Sequence, residues 1–444
     1  MIKIVLSISF LLCVTPRFVL SQSKTDSLLQ KATLADCIQY ALKNQPLVRQ
    51  ATIDQEITEN DIKTRLADWY PQLNFSYAIQ HFLELPTNFI PDANGVKRAV
   101  RFGQKNTSSV GVTLAQSIFN PDLLLANRTV RDVRSQAAQT TTSNKINVVV
   151  EVSKAYYDVL LTMKQAEVLN ENIVRLERSL QDAYNQYQGG IVDKIDYKRA
   201  QISLNNTRAD QKRTRDLADA KFVYLKQVMG YPTNQTIDVV YDSLQMESDV
   251  FMDTLQRVQY GNRIESQLLQ TQQNLLQANL RYTKWSYLPT VGATGSYTPT
   301  FQNDQLSNLY NSAYPSSFIG MQVTLPIFQG NKRNYRIREA NLQLTRLKWD
   351  VTALNNQIDS EYASALAAYK GSLAQWRALK ENLVLAEDVY NTLRLQYAAG
   401  IKTYLDVVIA ETDLRTAQLN YLNALYEVLS GKLDMQKALG TIQL

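Results

Sequence analysis

Few residue types in this chain can do covalent or metal chemistry, and none is set in a pattern that would. His81 is the sole histidine, and one imidazole without a Cys or His at ligand spacing is an ordinary strand or surface residue rather than a metal ligand. Cys13 lies in the apolar leader, where Leu12 occupies the position at which a lipidation signal requires a small residue. That leaves Cys37 as the one cysteine outside the leader, which excludes an intrachain disulfide and argues against a cysteine metal site. No glycine-rich phosphate loop, nucleophile elbow or zinc-protease motif is present, and the carboxylates are scattered along helical stretches. These residues predict no enzyme, no cofactor and no metal. The 47 basic and 41 acidic residues leave a net charge of +6. With the two signs interspersed, this describes solvated helix faces rather than a nucleic-acid surface.

The remaining polar residues gain meaning from the elements that would position them. Lys3 followed by the apolar run Ile4 to Val14, with Val19 and Ser21 before Gln22, reads as a cleavable export signal over residues 1–21. From Pro121, placed for a first helical turn after Asn120, neither Pro nor Gly recurs until Gly189. This predicts one helix of roughly 65 residues, ~100 Å long at 1.5 Å per residue. Val148, Val152, Ala155, Val159, Met163, Ala166, Leu169, Ile173, Leu176 and Leu180 give it a coiled-coil seam in steps of three and four.

A second texture alternates. Leu73, Phe75, Tyr77 and Ile79 oppose Asn74, Ser76, Ala78 and Gln80, and strands are expected at about 71–80, 108–119, 289–298 and 318–328. Segments 83–106 and 301–315 read as exposed loops joining each pair. Nothing after residue 21 is an apolar run long enough for a spanning helix. Four strands of about nine residues are long enough to cross a bilayer tilted, but only if other chains close the sheet. On periodicity alone, a small soluble sheet capping an exported helical rod or scaffold stays open.

The chain is duplicated. Tyr187, Gly190, Ile191, Asp196, Ala200 and Leu204 recur as Tyr397, Gly400, Ile401, Asp406, Ala410 and Leu414, each at an offset of 210. Gly230 with Gly440 keeps that offset, whereas Asn44 with Asn262 and Pro71 with Pro289 stand 218 apart. The expected organisation is a first repeat over 22–230, a linker with one short strand over 231–248, and a second repeat over 249–444. Each repeat reads as helix, strand pair, long helix, tight turn and returning helix.

This duplicated plan, the Tyr-x-x-Gly turns with their following Asp, the strand entries Pro71-Gln-Leu-Asn-Phe-Ser-Tyr77 and Leu288-Pro-Thr-Val-Gly292, and Val323-Thr-Leu-Pro-Ile-Phe-Gln-Gly330 together resemble TolC-like outer-membrane efflux proteins. The resemblance covers nearly all of the chain after the leader. It implies a mainly helical protein whose long coiled coils form a periplasmic tunnel, with four strands per chain completing a twelve-stranded barrel in a homotrimer. It also implies a passive outer-membrane duct fed by an inner-membrane transporter through a periplasmic adaptor, in contact with outer-membrane lipid. The family's periplasmic gate links a Tyr and a basic residue flanking the second turn to the first-repeat helix end, and the matching positions are Tyr397, Lys402 and Asp196. Asp406 matches the first of the family's paired constriction aspartates. Ile409 replaces the second, leaving Glu411 and Asp413 as the nearby carboxylates. The turns at Gly190 and Gly400 are the expected adaptor contacts, since glycine permits a tight helix-to-helix turn.

Overall fold

The structure is a computed structural model that describes residues 31–91, 95–190, 193–240 and 243–444. The expected export signal over 1–21 lies outside the described residues. A two-residue strand β1 (Lys31–Ala32) leads into α1 (Leu34–Asn44) and α2 (Pro46–Ala67). Strands β2 (Gln72–His81), β3 (Thr87–Pro91), β4 (Lys97–Arg101) and β5 (Asn106–Phe119) follow, then α3 (Pro121–Gln188) and α4 (Lys194–Met229). Beyond β6 (Asp238–Val239) and α5 (Ser243–Asp249), the second half comprises α6 (Ile264–Trp285), β7 (Thr290–Asn303), β8 (Ala313–Thr324), α7 (Lys332–Ala398) and α8 (Tyr404–Leu439).

The two long helices begin and end where local chemistry dictates. Pro121 sits in the first turn of α3, the Asn120 side chain accepts from the Asp122 N–H, and Gly189 caps the far end after 68 residues. α7 runs for 67 residues, so both span ~100 Å. α4 and α8 return antiparallel along them and end on Gly230 and Gly440, whose φ angles are +69° and +71°. These caps are fixed by packing as well as by backbone conformation. A Cβ on Gly230 would lie 2.7 Å from the Asn44 carbonyl oxygen, and one on Gly440 would lie 2.8 Å from that of Asn262. Two contacts built alike in the two halves thus use the 210 offset on one side and the 218 offset on the other.

The main core lies midway along the helices, where α1, α4 and α8 all pack on α3. It departs in part from the expected seam. Val148, Val152 and Val159 are buried but Met163 is exposed, while Leu160 and Leu161, outside the expected seam, are buried in the core. Cys37 is part of this core, and burial pushes its thiol up to about 12, which makes it a packing residue. Near the chain end, buried Arg263 bonds Glu265 at 3.0 Å, Glu361 at 2.9 Å and the Ala438 carbonyl at 3.1 Å, joining α6, α7 and α8.

The sheet is antiparallel in the order β2-β5-β7-β8, so the two halves contribute adjacent hairpins and leave β2 and β8 as open edges. Two expectations need correction in detail, and the short strand expected in 231–248 is present with a helix beyond it. Segment 83–106 contains the hairpin β3-β4, with Phe89 opposite Ala99; its Asn- and Pro-rich composition hides the strands. The last strand begins at Ala313 and stops at Thr324 rather than 328, because Pro326 lacks an N–H for the ladder. In 231–248, β6 pairs in parallel with β1, Val239 beside Ala32, and α5 follows.

Candidate functional site: the two-faced sheet and the helix-turn tip

The register sorts side chains across the sheet into two unlike faces. Leu73, Leu114, Gly295 and Ile319 align in one row, and Phe75, Val112, Tyr297 and Ser317 in the next. On the opposite face, Asn74, Thr113, Ser296 and Phe318 align, and beside them Gln72, Ala115, Thr294 and Gly320. One face is therefore largely apolar and the other mainly small and polar. Among the described residues no helix covers the apolar face: Phe75 is 71% exposed and Ile319 is 94% exposed. An exposed apolar band beside two unpaired edges is what a soluble sheet avoids and a membrane-barrel sector requires. His81 belongs to the far end of this sheet, its Nδ1 2.7 Å from the Asn106 Oδ1 of the adjacent strand. Among the described residues, no helix is long and apolar enough to cross a membrane.

At the opposite end, each long helix turns into its returning partner. Gly190 and Gly400 have φ of +71° and +76°, and a Cβ at either would meet nothing within 4 Å. The two turns match bond for bond: the Gly190 N–H donates to the Tyr187 carbonyl at 3.0 Å, and that of Gly400 to the Tyr397 carbonyl at 2.9 Å. Both glycines supply left-handed backbone at an unobstructed tip.

The predicted tip residues meet only in part. Tyr397 Oη donates to Gln186 Oε1 at 2.6 Å, a bond to the end of α3 rather than to Asp196 at the start of α4. Burial raises the Tyr397 pKa, and the charges of Asp196 and Asp182 raise it further, so the phenol remains a donor through neutral pH. Asp196 is thus close enough to act electrostatically without a hydrogen bond to the ring. Lys402 is exposed and forms no ion pair among the described residues; its charge acts on Asp406. Asp406 itself completes the cap of α8. Its carboxylate accepts from the Thr403 N–H at 3.0 Å and from the Thr403 hydroxyl at 2.8 Å, and these bonds hold its carboxyl below the usual carboxylate range.

Sequence reasoning missed two features here. One is an aromatic cluster: Tyr187 and Tyr197 stand 5.1 Å apart, and Tyr397 and Tyr404 stand 5.8 Å apart, with Tyr404 packed on Ala183 and Ala200 from the other half. The other is Glu411. Rather than serving as an acidic residue near Asp406, it is 4% exposed and sits inside the helical packing, whereas Asp413 is exposed. A signal existed, since Tyr404, Val407, Glu411 and Leu414 follow one another at seam spacing.

A helical shaft ending in paired turns, joined to a two-faced sheet with open edges, is the architecture of an outer-membrane channel chain. Residues 37–231 and 267–441 match the family model described as outer membrane efflux protein, and the chain belongs to that family. It is 22% identical over 439 residues to outer membrane protein TolC of Escherichia coli strain K12, covering 95% of this chain and 85% of that one. Among solved structures, VceC from Vibrio cholerae superposes with a TM-score of 0.70 at 14% identity, over 92% of this chain and 96% of the other. A CusC structure superposes with a TM-score of 0.72 at 17% identity, over 93% and 95%. The protein is an outer-membrane channel of efflux or secretion, from a family of channels rather than enzymes.

Proposed function

We propose that three copies of this chain close their sheets into one twelve-stranded barrel, edge β8 of each pairing with edge β2 of the next. Apolar rows such as Leu73, Leu114 and Ile319 would then meet lipid, and polar rows such as Asn74, Thr113 and Ser296 would line water. The uncovered apolar face carries this reading, because no element among the described residues packs on it. An exported rod without a pore would leave that band in water. The helices continue the duct into the periplasm, and substrate passes through by diffusion from an inner-membrane transporter and its adaptor.

The tip is the gate in this reading. Tyr397 ties α7 to the end of α3 through Gln186, with Asp196 and Lys402 supplying charge around the turn. Such bonds suit a gate because each contributes only about 1 kcal/mol net, so adaptor docking on the Gly190 and Gly400 turns is able to break several together. Asp406, once per chain, would set three carboxylates around the axis and favour cations. Native mass spectrometry of the detergent-extracted protein tests the assembly: a trimer is expected, and a stable monomer that needs no detergent overturns it.

A further inference from the structure

Among the described residues, Glu411 is the most conspicuous buried charge that the channel reading does not use. It projects from α8 into a layer formed with α3 and α7, where neither carboxylate oxygen has a hydrogen-bond partner. The groups facing it are few. From α3, Arg175 brings its Nε to 3.9 Å, too long for a hydrogen bond, and Asn172 is wholly buried with an unpartnered Nδ2. The Arg175 guanidinium spends a donor on Asn172. From α7 comes Tyr390, a buried phenol whose pKa is raised by burial and by the Glu411 charge. From α8 itself come Tyr404, whose hydroxyl is buried and unpartnered, and Arg415, which is turned away to donate to Thr207 on α4. Val407, Ala410 and Leu414 seal the layer on either side. The second half alone is built this way, since the position 210 residues earlier is Gln201, which is partly exposed.

We infer that Glu411 is a proton-operated latch: neutral, it lets α8 pack on α3 beside the gate, and ionised, it loosens that packing and eases opening. This rests on the tip being the gate. The physical reason is the cost of a carboxylate in a dry layer with no hydrogen bonds, which a cation at 3.9 Å offsets only in part. Burial accordingly raises the Glu411 pKa from 4.5 to about 7, against the pull of Arg175 and Arg415. For an acid whose packed-state pKa is raised, the stabilisation is fully present below the ordinary value and is lost as pH rises through the packed-state value. The latch therefore holds in mildly acidic medium and weakens above neutrality. Asp406 lies below the usual carboxylate range, so it is ionised throughout this window and adds no step of its own.

The test is closed-state leak through the purified full-length trimer in planar bilayers at about pH 6 and about pH 8.5, on either side of the packed-state value. Wild type is expected to leak about tenfold more at the higher pH for each Glu411 that ionises, well inside the roughly 300-fold ceiling that 2.5 pH units set for one proton. Glu411→Gln, neutral at every pH, should stay at the low level throughout. Should that variant fail to assemble, Arg175→Gln carries the test: removing the nearby cation should move the midpoint of the wild-type step to higher pH. Tyr397→Phe should raise leak at both pH values and keep the step. A flat wild-type profile, a step that survives in Glu411→Gln, or an unmoved midpoint in Arg175→Gln overturns the latch. If leak in Tyr397→Phe does not rise while the Glu411-dependent step persists, it is the Tyr397 gate that fails.

Discussion

Replacing Tyr397 by Phe keeps the ring on Tyr404 and deletes only the hydroxyl that donates to Gln186 at 2.6 Å. A neutral hydrogen bond contributes about 0.5 to 1.5 kcal/mol net, and the lower half applies here because Gln186 keeps partial access to water once its partner is gone. With three copies around the axis the closed tip would lose roughly 1.5 to 3 kcal/mol, about a ten- to hundredfold rise in the open-to-closed ratio at 1.4 kcal/mol per decade. Single-channel recording of the resting leak reads this directly, and heat-modifiability of the proposed trimer checks that its barrel is intact. The Gln186→Leu variant should open the tip to a similar extent, and the double variant should add little, because both changes break the same bond. A resting leak within about twofold of wild type in an intact Tyr397→Phe trimer, below the range expected from one bond per chain, would refute the reasoning.

Other expectations follow from the same geometry. Asp406→Ala should weaken cation preference in reversal-potential measurements, and unchanged selectivity would take Asp406 off the pore wall. In wild type, the Asp406 cap of α8 should hold above the ordinary carboxyl value of 3.8 and fail as pH falls through the depressed one; loss of helicity at the tip below that value, followed by circular dichroism, checks it. Gly230→Ala and Gly440→Ala force a Cβ to within 2.7 and 2.8 Å of backbone oxygens at positive φ. Each should cost about 2 to 4 kcal/mol and lower the thermal midpoint. Alanine at Gly190 or Gly400 meets open space and should cost only about 1 to 2 kcal/mol, while bulky residues there should impair export with barrel insertion normal. Ile319→Lys should block membrane insertion, at about 2 to 4 kcal/mol for a charge on the lipid face, whereas Thr113→Lys on the polar face should insert normally.

Long periodic elements were legible in the sequence because their signals are long. The run from Pro121 to Gly189 allowed little besides one helix, and the alternation from Leu73 to Gln80 required a strand between unlike environments. The β3-β4 hairpin was not legible, since Asn88, Pro91 and Gly95 mask two short strands that pair only with each other. The tip was legible in outline only. Glycine turns and a capping Asp have local signatures, but a Gln in the last turn of a long helix carries none, and nothing local told Tyr397 to choose Gln186 over Asp196. Glu411 escaped for a different reason: its seam spacing with Val407 and Leu414 was a signal, but a carboxylate on a helix is ordinarily solvated, which outweighs spacing alone.

The most direct test of the duct itself is single-channel conductance of the purified, detergent-extracted protein in a planar bilayer. Discrete, uniform conductance steps that grow when the tip bonds are broken are the expected result. A folded protein that adds no conductance to the bilayer would contradict the account.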